Sequence, residues 1–132
     1  MSDRTIPTEL RYSREDEWAR REGDRLVVGV TDYAQQQLGD IVFVELPELG
    51  SKISAGKPFG VIESVKAVSD LYAPVSGTVA DLNGTLEATP EAVNQDCYEA
   101  GWLIAIDGFD ENELDALLDA EAYRHHVDER SE

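Results

Sequence analysis

The chain holds three lysines against eight arginines, and only Lys66 stands where a nucleophilic amine can be presented. An ammonium can lose its proton and be acylated, whereas a guanidinium stays protonated and cannot. Lys66 lies within Glu63-Ser64-Val65-Lys66-Ala67-Val68-Ser69-Asp70, between two runs of β-type composition, Pro58-Phe59-Gly60-Val61-Ile62 and Leu71-Tyr72-Ala73-Pro74-Val75. The pattern predicts a hairpin with Lys66 at an exposed tip. A lysine that merely blunts a strand edge has the same local appearance, so the surrounding segments must decide. Lys52 and Lys57 fall in a connection bearing Gly, Ser and Pro and lack that frame.

Other chemistries fail on their residues. His125 and His126 are adjacent and lack the i, i+4 spacing of a helical metal pair, so no metal site is expected. Cys97, in Asn94-Gln95-Asp96-Cys97-Tyr98, has no basic neighbour to lower its pKa and reads as a small packing group. No Gly-rich phosphate loop or Gly-x-Ser-x-Gly elbow is present, and the carboxylates are spread along the chain without a recognisable pairing. No residue is assigned a catalytic role, and an independent enzyme is not expected.

The elements that must position Lys66 read as one β-rich unit. Strands are expected over 25–29, 41–46, 60–64, 67–73, 77–82 and 102–106, short and evenly punctuated, which predicts a sandwich or flattened barrel. Thr31 is placed to cap a helix through Asp32-Tyr33-Ala34-Gln35-Gln36-Gln37-Leu38 that Gly39 ends. A second brief helix is expected with Thr89 as cap and Pro90 in its first turn. Asn83-Gly84 is the strongest tight-turn signal. Asp110 followed by Glu113 resembles a capping box, and Leu114, Leu117 and Leu118 recur at helical spacing, predicting a helical segment over 110–124 docked on the sheet. Within it Asp119 can cap a further turn. Trp18 and Trp102 are expected in the core with their ring N–H groups bonded, and residues 1–8 and 128–132 as loose tails.

The 132 residues suffice for one domain, covering 1–132, with a core of its own. A single cysteine cannot form an internal disulfide, no apolar run approaches a membrane span, and residues 1–8 lack the apolar centre of a signal peptide, so a cytoplasmic protein is expected. A formal charge of −17 repels nucleic acid and anionic membranes, and neither is expected as a partner.

Five segments in order carry a resemblance: Gly29 to Gln35, Leu38 to Pro47, Gly60 to Asp70, Ala73 to Gly77, and Gly101 to Ile104. Through them the chain, from about Leu10 to about Tyr123, resembles the glycine cleavage system H proteins, which are lipoyl carriers. The resemblance implies a mainly β fold of the lipoyl/biotinyl hybrid-motif type with short helices and a C-terminal helix. It implies lipoic acid as a covalent cofactor, N6-linked to Lys66 by lipoate-attaching enzymes. It also implies three partners: a pyridoxal-phosphate glycine decarboxylase that loads an aminomethyl group, a tetrahydrofolate-dependent aminomethyltransferase that removes it, and a dihydrolipoyl dehydrogenase that takes the electrons. The chain is expected to act as a monomer.

Around the lysine, Glu63 and Asp70 flank the tip and are placed for recognition by the attaching enzyme. In the family a glutamate before the early tryptophan and an aspartate after the lysine motif lie near the amine of the loaded arm, and those positions match Glu17 and Asp70. The family commonly has histidine before that glutamate, where this chain has Asp16, and proline where it has Cys97. Biotin carriers share the hairpin but favour methionines around the acceptor, and the only methionine is Met1. The alternative role is an H-like lipoyl donor or relay for 2-oxoacid dehydrogenases, or an interaction module that is never lipoylated.

Overall fold

The computed structural model describes residues 6–130. In chain order its elements are β1 (Arg11–Tyr12), β2 (Glu17–Glu22), β3 (Arg25–Val30), α1 (Asp32–Leu38), β4 (Ile41–Glu45), β5 (Lys52–Ile53), β6 (Pro58–Ser64), β7 (Val68–Tyr72), β8 (Gly77–Leu82), α2 (Ala92–Gln95), β9 (Ile104–Asp107), α3 (Glu111–Asp115) and α4 (Ala120–Arg130). Six strands form one sheet in the order β1-β2-β3-β9-β8-β5, and three form the other, β4-β6-β7. Leu26, Val28 and Ile106 of the first sheet share one apolar core with Val44, Ile62 and Leu71 of the second. The architecture is mainly β with short helices and a C-terminal helix, and the sheets remain separate instead of closing into a barrel.

Local signals hold where local hydrogen bonds decide. Thr31 takes extended backbone and its hydroxyl accepts the Ala34 N–H at 3.2 Å, while Gly39, at φ 81°, ends α1. Asp119 likewise accepts the Ala122 N–H at 2.9 Å and starts α4. Where other hydrogen-bond partners compete, the outcome differs. The Thr89 hydroxyl donates back to the Thr85 carbonyl, so α2 starts later, at Ala92, without a side-chain cap. Asn83 is buried and donates to the carbonyls of Ala100 and Trp102, which turns Asn83-Gly84 into the start of a 3-10 turn over Gly84–Glu87 instead of a two-residue hairpin. Asp110 caps α3 by accepting the Asn112 N–H, but the Glu113 carboxylate accepts from Ser76 N–H at 2.6 Å and leaves the capping box half made.

The expected 110–124 helix is two helices, because Leu118 exchanges both backbone hydrogen bonds with Tyr12, each 2.8 Å, and cannot stay helical. The expected loose tail from 128 is also corrected, since α4 runs to Arg130. Val127 is fully buried, and the Arg130 guanidinium lies 4.7 Å from the centre of the Tyr33 ring and bonds Asp16. At the other end Ile6 is buried against the same aromatic cluster, where Tyr12 and Tyr123 stack with centroids 4.6 Å apart. Residues 1–5 and 131–132 of the expected tails lie outside the described residues.

Three strands are absent from the sequence reading, the two-residue β1 and β5 and the six-residue β2. Glu17, Trp18 and Ala19 are all buried in succession, so no period-2 alternation marks β2. Trp18 is covered by the aromatic cluster and donates its ring N–H to the Cys97 carbonyl at 3.0 Å. Trp102, expected in the core, is instead half-buried at the edge of the aromatic cluster, in a groove with Arg20, Arg25 and Val27. Trp18 sits directly opposite Gly29 on β3, and a methyl group at Gly29 would come within 2.6 Å of its ring carbons. Gly29→Ala therefore forces a fully buried indole off its site. A loss of about 1–3 kcal/mol is expected, read as a lowered midpoint in urea denaturation with the slope unchanged.

Candidate functional site

Lys66 stands at the tip between β6 and β7, exposed to water. Three residues form the tip, and every amide from Ser64 to Ala67 has a partner. Ser64 N–H donates to the Ala67 carbonyl at 2.8 Å, and the Ser64 hydroxyl accepts the N–H groups of Lys66 at 3.3 Å and Ala67 at 3.1 Å. Val65 N–H donates to the Asp40 carbonyl at 3.0 Å, which ties the tip to the turn after α1. Gly39 in that turn faces the lysine, since a methyl there would lie 3.7 Å from Lys66 Cε.

The turn is itself held by Asn94 of α2. Its amide donates to the Gly39 carbonyl at 2.8 Å and the Gln35 side chain at 3.0 Å, and its oxygen accepts the Ile41 N–H at 2.8 Å. A chain of bonds thus runs from α2 through residues 39–41 to the backbone beside Lys66. Buried or half-buried amides must be paired somewhere, and here the pairing makes the lysine's base rigid. Sequence reasoning missed both Ser64 and Asn94. Ser64 carries a local signal, a serine just before a tight turn whose hydroxyl can bond amides two and three residues on; Asn94 carries none, because its partners lie more than fifty residues away.

Beside β7 lies a cleft of about 160 Å³ lined by Glu17, Asp70, Ser69, Ile62, Leu38 and Ala34 among others. Glu17 and Asp70 both line this cleft, but in different states. Asp70 is exposed; Glu17 is buried, with its Oε1 accepting from the Ser13 hydroxyl at 2.7 Å and its Oε2 from the Tyr72 N–H at 3.0 Å. Glu17 thus joins β2 to the outer edge of β7. Burial raises its pKa to about 8 against the lowering effect of those two bonds, and the negative charges of Glu15 and Asp16 add to the rise. Glu63 is half-buried on β6, outside this cleft and level with the tip.

Asp16, the departure from the family pattern, lines the same cleft at φ 78°, a left-handed conformation that aspartate tolerates better than most residues. Its carboxylate accepts from Tyr123 at 2.8 Å and from Arg130, and Tyr123 also shares a 2.7 Å hydrogen bond with Thr31. Arg130, placed by the sequence in a tail, is thus part of the cleft's support. Cys97 is buried, and burial, followed by the Asp32 charge, pushes its thiol up to about 12, which removes it as a nucleophile. Among the described residues no cluster of His, Cys, Asp or Glu can hold a metal ion, and no helix is long and apolar enough to cross a membrane.

A two-sheet β domain that holds one lysine on a braced hairpin beside a cleft has the build of a carrier domain. The sequence profile of the glycine cleavage H-protein family matches residues 10–130. The glycine cleavage system H protein of Anaeromyxobacter sp. (strain K) is 55% identical over 125 residues, covering 95% of this chain and 98% of that one. That of Mycobacterium avium (strain 104) is 57% identical over 129 residues, covering 94% and 96%. The crystal structure of a glycine cleavage system H protein from Mycobacterium marinum superposes with a TM-score of 0.82 at 35% identity, covering 96% of this chain and all of the other. The chain belongs to the glycine cleavage H-protein family, whose members are carriers.

The buried state of Glu17 can be read from stability. An unfolded glutamate ionises near its ordinary 4.5 and the folded one near 8. Between these values the unfolded chain has released the proton and the folded chain retains it, so the contribution of Glu17 to stability is complete below about 4.5 and falls as pH rises toward 8. Glu17→Gln removes the titration. The unfolding free energy of wild type relative to Glu17→Gln should decline across that window, by at most about 1.4 kcal/mol per pH unit, in urea titrations at several pH values. A difference that does not vary with pH would show Glu17 ionised throughout.

Proposed function

We propose that Lys66 carries lipoic acid in amide linkage and that the protein is the lipoyl shuttle of the glycine cleavage system. In this reading it takes the aminomethyl group from glycine decarboxylase to the tetrahydrofolate-dependent aminomethyltransferase, passes electrons to dihydrolipoyl dehydrogenase, and works as a monomer in the cytoplasm with these enzymes. The observation that carries the reading is Lys66, the one lysine on a braced, exposed tip, within a chain of the H-protein family. The surroundings fit the group. Nζ is open to an acylating enzyme, and the neighbouring cleft offers Leu38, Ile62 and Ala34 to a hydrocarbon chain and the carboxyl groups of Glu17 and Asp70, with those of Glu15 and Asp16 beside them, to a cationic cargo. When bound, the lipoyl group supplies the dithiol–disulfide and group-carrying chemistry.

The chain's own residues do the rest. Ser64 and Asp40 hold the tip so that the arm pivots from a fixed point, and tethering keeps its end at an effective concentration of about millimolar near a docked partner. Glu63 and Asp70 present carboxylates on either side of the tip for the attaching enzyme. Glu17 is kept protonated by burial while the cleft is free of positive charge; an ammonium brought against it would lower its pKa and leave a carboxylate to hold the cargo. Asp70, open to water at the same cleft, supplies the second negative charge.

Lys66→Arg keeps the charge and removes the nucleophile. The variant should fold as wild type and gain no mass when incubated with lipoate, ATP and a lipoate ligase, while wild type gains one lipoyl group located on Lys66 by peptide mapping. Lipoate on Lys52 or Lys57, or retained by the Arg variant, overturns the assignment. For Glu17, the loaded Glu17→Gln variant should release its aminomethyl group faster than loaded wild type in the absence of the folate enzyme. A charge-assisted hydrogen bond worth about 1.5–3 kcal/mol corresponds to roughly a tenfold or greater difference in lifetime. Equal decay at low and high salt would remove Glu17 from cargo protection.

A further inference from the structure

Five large apolar side chains are exposed among the described residues, and four of them, Val42, Phe43, Val65 and Val68, lie at the Lys66 end of the three-stranded sheet. Their exposure runs from 47% to 70%. The strand register shows why they share a surface. Phe43 stands opposite Glu63 and Glu63 opposite Val68; in the next outward row Glu45 stands opposite Val61 and Val61 opposite Asp70. Side chains directly opposite in antiparallel strands point to the same face. The alternate residues Val44, Ile62 and Leu71 are in the core, so these two rows form the outward face. The irregular register between Ile41 and Phe43 leaves Val42 exposed beside Phe43, and Val65 extends the apolar surface to the tip.

The rows alternate apolar groups with carboxylates. Among the described residues Glu45, Glu63 and Asp70 form no ion pair, whereas Arg20, Arg21, Arg25 and Arg130 are each paired with an acid elsewhere on the molecule. The surface therefore has no cover for its apolar side chains and leaves three acids unpaired beside the one cation that is to be acylated, Lys66, so its charge complement is a partner face carrying apolar groups among Lys or Arg. Distance selects which partner. An enzyme that acylates Nζ must come within bonding distance of the bare Lys66 side chain and so must cover the residues at its base. An enzyme that receives the far end of an extended arm need not.

We infer that the outward face of β4-β6-β7, centred on Phe43, Val65 and Val68 and edged by Glu45, Glu63 and Asp70, is the docking surface for the lipoate-attaching enzyme, whose contacting side is apolar and basic. The inference rests on Lys66 being the acceptor. It extends the recognition surface from the flanking acids of the tip to a neighbouring strand, with Phe43 as its apolar anchor.

The test is the steady-state kinetics of lipoylation of the purified full chain by a lipoate ligase with lipoate and ATP. The double variant Phe43→Gln/Val68→Thr should keep the wild-type thermal midpoint, because both side chains face water, and should raise KM for the protein substrate on the order of tenfold with kcat unchanged. Val68→Lys, at the more exposed position, should raise KM independently of Phe43. Glu45→Gln/Glu63→Gln should flatten the fall of kcat/KM with salt. Wild-type KM in both apolar-site variants overturns the docking surface while Lys66 stands. Normal ligase kinetics combined with slower loading by glycine decarboxylase also overturns it, by giving the surface to a different enzyme. A wild-type chain that acquires no lipoyl group on Lys66 overturns the acceptor assignment and the docking surface together.

Discussion

A lysine on a hairpin is useful to a partner only if the hairpin does not wag, and two strands alone are marginally stable in water. The constraint on this molecule is therefore to fix three tip residues that make almost no apolar contact of their own. Hydrogen bonds meet it. Ser64 binds the tip from within, the Asp40 carbonyl holds it from the side, and Asn94 holds Asp40's turn. The sandwich beneath supplies the fixed points, since Ile41 and Ile62 are buried in the core on either side of this bracket.

The second support is a buried carboxyl group. Glu17 lies on β2 in the larger sheet and bonds the edge of β7 in the smaller one. A buried acid with two hydrogen bonds is a weak source of stability in itself, but removing its partner leaves an unsatisfied group. The arrangement makes the cleft wall sensitive to charge: Glu17 is easiest to keep when neutral and easiest to ionise when a cation arrives. Asp16 beside it is held differently, by Tyr123 and Arg130 of the last helix, so a residue that departs from the family pattern has found partners of its own.

The features legible in the sequence were those determined within a few residues. The cap at Thr31, the end of α1 at Gly39 and the tip of the β6–β7 hairpin all follow from local backbone requirements, and the lysine's frame is local too. Glu17 and Asp70 were placed at one cleft through the family resemblance and not through spacing. Ser64 was missed although its signal is local, and other features escaped because no local pattern marks them. The β2 strand is buried on successive residues and shows no alternation; Asn94 acts across more than fifty residues; Arg130 pairs with an acid at the other end of the chain. Capping signals at Thr89 and Glu113 were present but lost to competing partners, the Thr85 carbonyl one turn back and the distant Ser76 amide.

The aromatic cluster joins the two ends of the chain. Ile6, Leu10, Tyr12, Trp18 and Tyr33 come from its start, and Ala120, Tyr123 and Val127 from its finish. During synthesis the early members are made first, and their cover from α4 is the last part of the cluster to be made. Contacts of such long sequence separation close late because the loop entropy must be met before they form. The hairpin and its core can assemble before α4 is made, but the wall at Asp16 gains its partners only from that helix. A chain stopped a few residues short would thus emerge with a formed lysine tip beside an unfinished cleft, a partly built carrier still offering its acceptor to the modifying enzyme.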